Sequence, residues 1–424
     1  MDAFVEVLAR SGYSSASVED VDRQAGASRS TFYEEFDDLD SCFFSLLEEI
    51  AGELWAELQD AVRAGEPHDA PRQLVTGMLQ FATEQPARAQ VLLCESLAGP
   101  AIALDLRDGL IERVAKLIEG RWRTAAPDTP AIDLPARALV GGIFRLLAFR
   151  LRRGLSGVQE LPGGLRAWVD AYAIPRGPAD WQSDQAIKRL GAPPSIDLPP
   201  AGPPPAVRLG SSGVTPADRA RNQRERIIYA TAQSCHEHGY SQVTVNDIVV
   251  RARLSRKVFY GHYRDKEHAA METLEHSFET TMTAAARAFF AQQNWLDRLW
   301  AAGRALCEHH ATHVALMHMA FVEPPAIGPA AVGLAGERLL AFTLLIEEGY
   351  HYRPEAEHLP RLTSEILAST IFEPIYHSIR SRKDPKHAYE LLAPQYYFTL
   401  APFTGPTKAT QIVQEHMRTL AAPG

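Results

Sequence analysis

The sequence predicts an all-α protein made of two tandem units of one kind, each a helix-turn-helix module followed by a helical bundle. Three observations carry that prediction. A fragment near the start, Gly12 to Asp40, recurs as Gly239 to Glu267, every pairing offset by 227 positions without a gap. An ungapped repeat at about half the chain length is a duplicated domain, since solenoid periods are far shorter. Elsewhere apolar residues recur at helical spacing, and no alternating strand pattern with hairpin turns interrupts them. Finally, Ala192 to Pro205 reads APPSIDLPPAGPPP, a run that cannot pack as a helix and serves as a semi-rigid spacer.

Within each copy the residues read as helix, turn, helix. Gly12 and Gly239 close a preceding helix, where a positive φ is favoured. Ser17 and Thr244 are N-caps, and Asp20 or Asp247 three residues later suits the helix N-terminus. Val18, Val21 and Ala25 form an apolar face, matched by Val245, Ile248 and Ala252. A short turn follows, Ala25-Gly26-Ala27 in the first copy, whereas the second carries Arg253 where the turn glycine is expected. Ser28 or Ser255 then caps a second short helix bearing Phe32-Tyr33 or Phe259-Tyr260. Two short helices at a tight turn suit insertion of the second into a DNA major groove.

Long amphipathic stretches come next. In the first half they start with Phe43, Phe44, Leu46, Leu47, Ile50, Leu54 and Leu58, and helices are expected near 72–85, 88–97, 104–122 and 135–153. In the second half they are expected near 266–292, 295–310, 314–322, 330–348 and 359–382. The expected organisation is a first, acidic module at 1–50, a first bundle at 51–190, and a Pro/Gly-rich linker at 191–214. A second, basic module at 215–270 and a second bundle at 271–424 complete it. A Gly-Ser-Ser-Gly joint at Gly210 to Gly213 lies just before the second module.

Composition narrows the class. The chain has 424 residues, 46% hydrophobic and 22% charged, as in a globular protein with room for a core in each half. No apolar run approaches the ~20 residues of a membrane span. An acid directly after Met1 does not fit a signal peptide. Four scattered cysteines, Cys42, Cys94, Cys235 and Cys307, form no CxxC pair and read as thiols of a reducing cytoplasm.

The repeated signature, GY-x3-[ST]-V-x-D-[VI] followed by S-x3-[FL]-Y, resembles the TetR family of transcriptional regulators. The resemblance covers about the first fifty residues of each half. It implies a three-helix DNA-binding module in front of a bundle that holds a small-molecule effector pocket and the dimer interface. It also implies a pair of recognition helices in successive major grooves, about 34–36 Å apart. With both modules in one chain, an internal pseudo-dimer on a double-stranded operator is expected, and the fold implies a cytoplasmic repressor.

The net charge of −9 is unevenly distributed. Residues 1–50 hold 3 basic and 12 acidic residues, whereas residues 216–277 hold 10 basic and 8 acidic. Local charge governs phosphate contact more than the total does. In the second module an arm of Arg219, Arg221, Arg224 and Arg226 is expected ahead of the first helix, able to track the backbone or enter a minor groove. Arg256 and Lys257 stand at the N-terminal end of the recognition helix, where base edges are reached. Arg251, Arg253, His262 and Arg264 surround it, with Ser255 at the cap. By resemblance, Thr244 and Tyr260 offer phosphate-binding hydroxyls, and Lys266 grips a phosphate with its helix N-terminus. The first module keeps Ser17, Ser28, Arg29, Ser30, Thr31 and Tyr33 as candidate contacts, but Glu34, Glu35, Asp37, Asp38 and Asp40 crowd its recognition helix and Leu39 replaces the lysine.

Effector contacts are expected in the second bundle, from Trp300, Phe321, Phe342 and Tyr376, although buried aromatics more commonly serve as core. His309 and His313 share a helix face at i,i+4, yet no HExxH or cysteine accompanies them, so no metal is expected. No cofactor motif, P-loop, GxSxG or triad is present, and nothing argues for catalysis. Two other readings fit the sequence. In one, only the second module touches DNA and two chains dimerise on a palindrome. In the other, the chain is a helical ligand- or protein-binding module without DNA function.

Overall fold

The computed structural model of the chain describes residues 1–125, 136–172, 202–206, 214–381 and 384–419, and among them there is no strand. The first half supplies α1 (Asp2–Ser11), α2 (Val18–Ala25), α3 (Arg29–Glu35), α4 (Leu39–Ala64), α5 (Ala70–Glu84), α6 (Pro86–Leu93), α7 (Ala101–Ala125), α8 (Ala136–Arg152), α9 (Leu155–Gln159) and α10 (Leu161–Val169). The second half opens with α11 (Pro216–His238), α12 (Val245–Ala252), α13 (Arg256–His262) and α14 (Lys266–Phe290). It continues through α15 (Trp295–Thr312), α16 (Val314–Phe321), α17 (Pro324–Ile327), α18 (Pro329–Leu340), α19 (Thr343–Ile346), α20 (Pro354–Glu357), α21 (Leu362–Arg380), α22 (Leu392–Thr404) and α23 (Pro406–Thr419). Of the expected spacer, only Gly202 to Pro205 is among the described residues; Gly210 to Gly213 lie outside them.

These residues form two compact units that do not follow chain order. One comprises Met1–Ser183, Ile346–Pro374 and Ala393–Gly424; the other comprises Asp184–Leu345 and Ile375–Leu392. In the first unit the long helix α4 turns Phe43, Leu46, Leu47, Ile50, Leu54 and Leu58 inward against α5 and α7. Removing such side chains from water at ~25 cal/mol per Å² is the main force holding the unit together. In the second unit α14 plays the same part, burying Leu274, Phe278 and Phe289 against α15 and α16.

The first unit takes helices from both halves of the sequence. α8 packs against α21 through two adjacent glycines. A Cβ at Gly141 would lie 2.0 Å from Cγ of Glu373, and one at Gly142 would lie 3.0 Å from the Cα of Thr370. Glycine is required there by close approach rather than by backbone conformation. Glu373 is fully buried and faces three guanidinium groups, Arg107 at 3.7 Å and Arg137 and Arg145 at 3.6 Å. Asp108 pairs with Arg107 at 3.1 Å and Glu112 with Arg137 at 3.2 Å, so the cluster is balanced in charge. Nearby, the Tyr172 hydroxyl donates to the carbonyl of Phe398 on α22 at 2.6 Å.

Two expectations change. The apolar stretch expected as one helix over 330–348 breaks after Leu340 and continues as α19 and a 3-10 turn at Glu347–His351. Within Pro329–His351 an 18-residue window of mean hydropathy 1.5, 33% of it buried, nonetheless meets the length and composition of a membrane span, against the expectation that no run comes close. The break in this stretch and its acids Glu337, Glu347 and Glu348 are features of a surface-lying core segment rather than a continuous span.

Adding a methyl group separates packing from propensity. Gly141→Ala should lower stability by about 3 kcal/mol through overpacking against Glu373. Gly109→Ala, in the interior of α7 with open space around its Cβ position, should raise it by about 0.5–1 kcal/mol. Chemical unfolding of both variants measures the two signs side by side.

Candidate nucleic-acid interface

Both copies of the repeat fold through the same local devices. Ser17 and Thr244 each accept the amide proton of the aspartate three residues on, and each aspartate reaches back to the cap, closing a capping box on α2 and α12. The preceding helices end at Gly12 (φ 74) and Gly239 (φ 77). The turn between the paired helices needs one left-handed residue, supplied by Gly26 (φ 63) in the first copy and by Arg253 (φ 52) in the second. Arg253 is the only non-glycine with positive φ among the described residues, so the turn survives loss of its glycine at a conformational cost of about 1–2 kcal/mol. Ser28 and Ser255 cap α3 and α13, bonding the amides of Thr31 and Val258. Phe32 and Phe259 face the core, leaving Tyr33 and Tyr260 48% and 56% exposed on the outer face.

Electrostatics separates the two surfaces. On α13, Arg256 and Lys257 are exposed, and neither takes part in an ion pair among the described residues. Arg256 makes one long contact, 3.4 Å, to Asn246. Tyr260 and Arg264 continue the exposed face. On α3 the corresponding exposed residues are Arg29 and Ser30, with Thr31 hydrogen-bonded to Ser28 at 2.9 Å and the Arg29 guanidinium 5.6 Å from the Tyr33 ring. Glu34, Glu35, Asp37, Asp38 and Asp40 all lie exposed beside them, and Asp40 accepts the hydroxyl proton of Tyr13.

The basic arm is a correction. Thr215 and Asp218 close a capping box with Pro216 in the first turn, so α11 begins before the arginines and carries all four on its surface and core faces. Arg221 is exposed and Arg219 half-buried on this helix. Arg224 is held by Glu272. Arg226 is buried and donates to the carbonyl of Ala252 at 2.6 Å, tying α11 to the end of α12. Arg251 is paired with Glu237. His262 lies 3.1 Å from Gln223, and burial pushes its imidazole below the usual value. The Lys266 ammonium, at the start of α14, donates to the carbonyl of Tyr240 at 2.9 Å and sits 4.1 Å from its ring centre.

The family described as bacterial regulatory proteins, tetR family, matches residues 1–46 and again residues 227–268. The matched segments are the two copies of the repeat, so each copy is similar to the N-terminal module of that family, and the two stand in tandem. A solved structure assigned to the TetR family of transcriptional regulators, from Syntrophomonas wolfei strain Goettingen, is 17% identical over 47% of this chain and 95% of its own, with a TM-score of 0.29. No curated protein matches the chain.

Sequence reasoning missed the residues that fasten each module to its bundle. In the first module the amide of Tyr13 donates to Glu95 at 2.8 Å, and in the second the amide of Tyr240 donates to Glu323 at 3.0 Å. The two tyrosines differ by 227 positions and the two glutamates by 228. An acid in both halves at nearly the repeat offset was the available signal, beyond the reach of the contiguous motif. Burial raises both carboxyls, that of Glu323 to about 7, against the lowering effects of the Tyr240 amide and Lys266. His318 stands 3.3 Å from Glu323 and stacks edge-on against His236 of α11 at 5.0 Å.

The expected effector contacts Trp300, Phe321, Phe342 and Tyr376 are all buried, and Phe321 packs on Phe278 with ring centres 6.2 Å apart. His309 and His313 stack at 4.3 Å. Burial first, then the neighbouring His313, His310 and His276, push His309 down to about 3, which keeps it neutral. Among the described residues no cluster has metal-ligand geometry. One cavity of about 250 Å³ is lined by Pro203, Pro204 and Pro205 together with Arg226, Arg251 and Arg253, and the carbonyl of Pro205 accepts from Asn222 at 3.0 Å.

Two outcomes test this geometry. Arg253→Gly should stabilise the chain by about 1 kcal/mol by removing the left-handed strain, read from chemical unfolding. For Glu323, the folded chain holds a proton between about 4.5 and 7 that the unfolded chain has already lost. Its contribution to stability therefore falls as pH rises through that window. Glu323→Gln keeps an acceptor but cannot ionise, so its melting midpoint should decline less than that of the wild type between pH 5 and 7.5.

Proposed function

We propose that this chain is a cytoplasmic, ligand-responsive transcriptional repressor whose two TetR modules act as an internal pseudo-dimer on an asymmetric operator. The observation that carries the reading is the contrast between the modules. Both keep the capped helix-turn-helix skeleton, but the second presents two exposed cations outside any ion pair, Arg256 and Lys257, at the start of its recognition helix, where the first has Arg29 alone, followed by Glu34, Glu35, Asp37, Asp38 and Asp40. Base-edge contacts come from that end of a recognition helix. Arg221, Tyr260 and Arg264 would add backbone contacts, with Thr244, Ser255, His262, Arg219, Arg224 and Lys266 at the margins. In the first module Ser17, Ser28, Arg29, Ser30, Thr31 and Tyr33 would make fewer and weaker contacts, because neighbouring carboxylates repel phosphate.

An effector in the second bundle would work by favouring one of two arrangements of bundle and module. Glu323 and Lys266 supply the connection, since both grip the residue that follows the positive-φ glycine of α11. Trp300, Phe321, Phe342 and Tyr376 are the proposed effector contacts. No catalytic step forms part of this function.

The acidity of the first module favours one competing reading, in which two chains each supply only their second module. Selection of bound sequences from a random DNA pool at near-physiological salt decides between them. Two unlike half-sites are expected for the pseudo-dimer, whereas a palindrome would mean two chains and an idle first module. Arg256→Ala and Lys257→Ala should each weaken binding by roughly 10- to 100-fold, and Arg29→Ala by roughly threefold or less. No enriched sequence from folded protein would overturn the DNA-binding role.

A further inference from the structure

The helices α8 and α21 hold corresponding places in the two halves, their first residues 226 positions apart and their last 228. Their charges are opposite. α8 carries Arg137, Arg145, Arg150 and Arg152 and no acid. α21 carries Glu365 and Glu373 and no lysine or arginine before Arg380. Both glutamates are spent on α8: Glu373 faces Arg137 and Arg145 at 3.6 Å, and Glu365 accepts from Arg150. The Arg145 guanidinium also lies 3.6 Å above the Phe372 ring.

The repeat explains what this opposition does. At an offset of 227 or 228 the first-half counterpart of Glu373 is Leu146 or Arg145, and neither is an acid. The counterparts of Arg137 are Ser364 or Glu365, and those of Arg145 are Phe372 or Glu373; none is basic. Arg145 therefore touches its own counterpart, as residues near a two-fold axis do. If α8 met the α8 of a second copy, arginines would face arginines, offset only by Asp108, Glu112 and Glu160 of their own half and with no carboxylate from the partner helix. If α21 met a second α21, glutamates would face glutamates. Glu373 is fully buried, so water cannot screen the mismatch.

We infer that the opposite charges of α8 and α21 are a pairing code, which directs the first half to the second half of this protein and rejects a like half from another copy. The inference rests on the reading of the chain as an internal pair. It combines attraction in the right pairing with repulsion in the wrong ones, the two ingredients of specific association. The two glycines at the crossing allow the charged groups to approach closely.

The test uses two full-length chains, each mispaired internally but complementary to the other. Glu365→Lys with Glu373→Lys makes both helices of one chain basic. Arg137→Glu, Arg145→Glu and Arg150→Glu make both helices of the other acidic. Co-expressed with different tags, the two variants should co-purify at least tenfold more than two differently tagged wild-type chains, in a particle of two-chain mass. Combining all five substitutions in one chain should restore the wild-type mass and bring the melting midpoint nearer to wild type than either parent variant. A purely structural ion cluster would give the five-substitution rescue within one chain but no gain in co-purification. Co-purification no greater than for wild type, from variants shown to be folded, would overturn the code whether or not the five-substitution variant recovers stability. Should the code hold while DNA selection returns a palindrome, the asymmetric-operator reading fails on its own.

Discussion

A backbone N–H left over at the end of a helix has to find an acceptor. In both modules it finds a carboxylate from the bundle, half-buried Glu95 for Tyr13 and buried Glu323 for Tyr240. Much of the remaining architecture depends on this bond. The glycine before each tyrosine turns the chain out of the first helix with a φ near 75°, aiming the amide sideways instead of along the helix axis. An added Cβ at Gly12 would already press on the Glu95 carboxylate at 3.3 Å. Each module is therefore held to its bundle by a polar bond, part-buried in the first copy and fully buried in the second, where an unmet partner costs about 1–3 kcal/mol. Any shift of the short segment bearing the glutamate is felt at the start of the helix-turn-helix.

The modules share this fastening but differ in what they expose. The skeleton of caps, turn and buried Phe32 or Phe259 depends on a few small or apolar side chains, which both copies retain. The outer face depends on charge alone, and there Glu34, Glu35 and Asp37 stand where the second copy has Gly261, His262 and Arg264. Fold and electrostatics have separated within one duplicated element. The second copy has its own departure, since Arg253 takes a conformation that its counterpart Gly26 adopts without strain.

Local signals made the modules legible in the sequence. Caps, the positive-φ glycines and helical periodicity act over a few residues, so Ser17, Thr244, Ser28 and Ser255 were readable as caps. The start of α11 was misplaced because Thr215-Pro216-Ala217-Asp218 is a helix signal as strong as the repeat itself, and it draws the arginines into the helix. Glu95, Glu323 and Glu373 were illegible for a different reason. Their partners lie from tens to hundreds of residues away, and a lone glutamate in an amphipathic helix looks like any solvated acid. The helices α10, α22 and α23 were also missed, because prolines at Pro162, Pro402 and Pro406 blur their periodicity.

In an assembly of two identical chains, a residue on the symmetry axis must tolerate itself. Such positions are closed to charge, because any arginine placed there arrives twice. Duplication and fusion remove that restriction, since the two occupants are then encoded separately. On the proposed internal pairing, the contact of Arg145 with Phe372 and Glu373 is where that restriction would be lifted: the cation meets an aromatic ring and an acid instead of its twin. Once such a pair is buried, neither half can return to life as a symmetric dimer without first replacing it. On that pairing the ion cluster would act as a ratchet on the history of the chain as well as a fastening in its core.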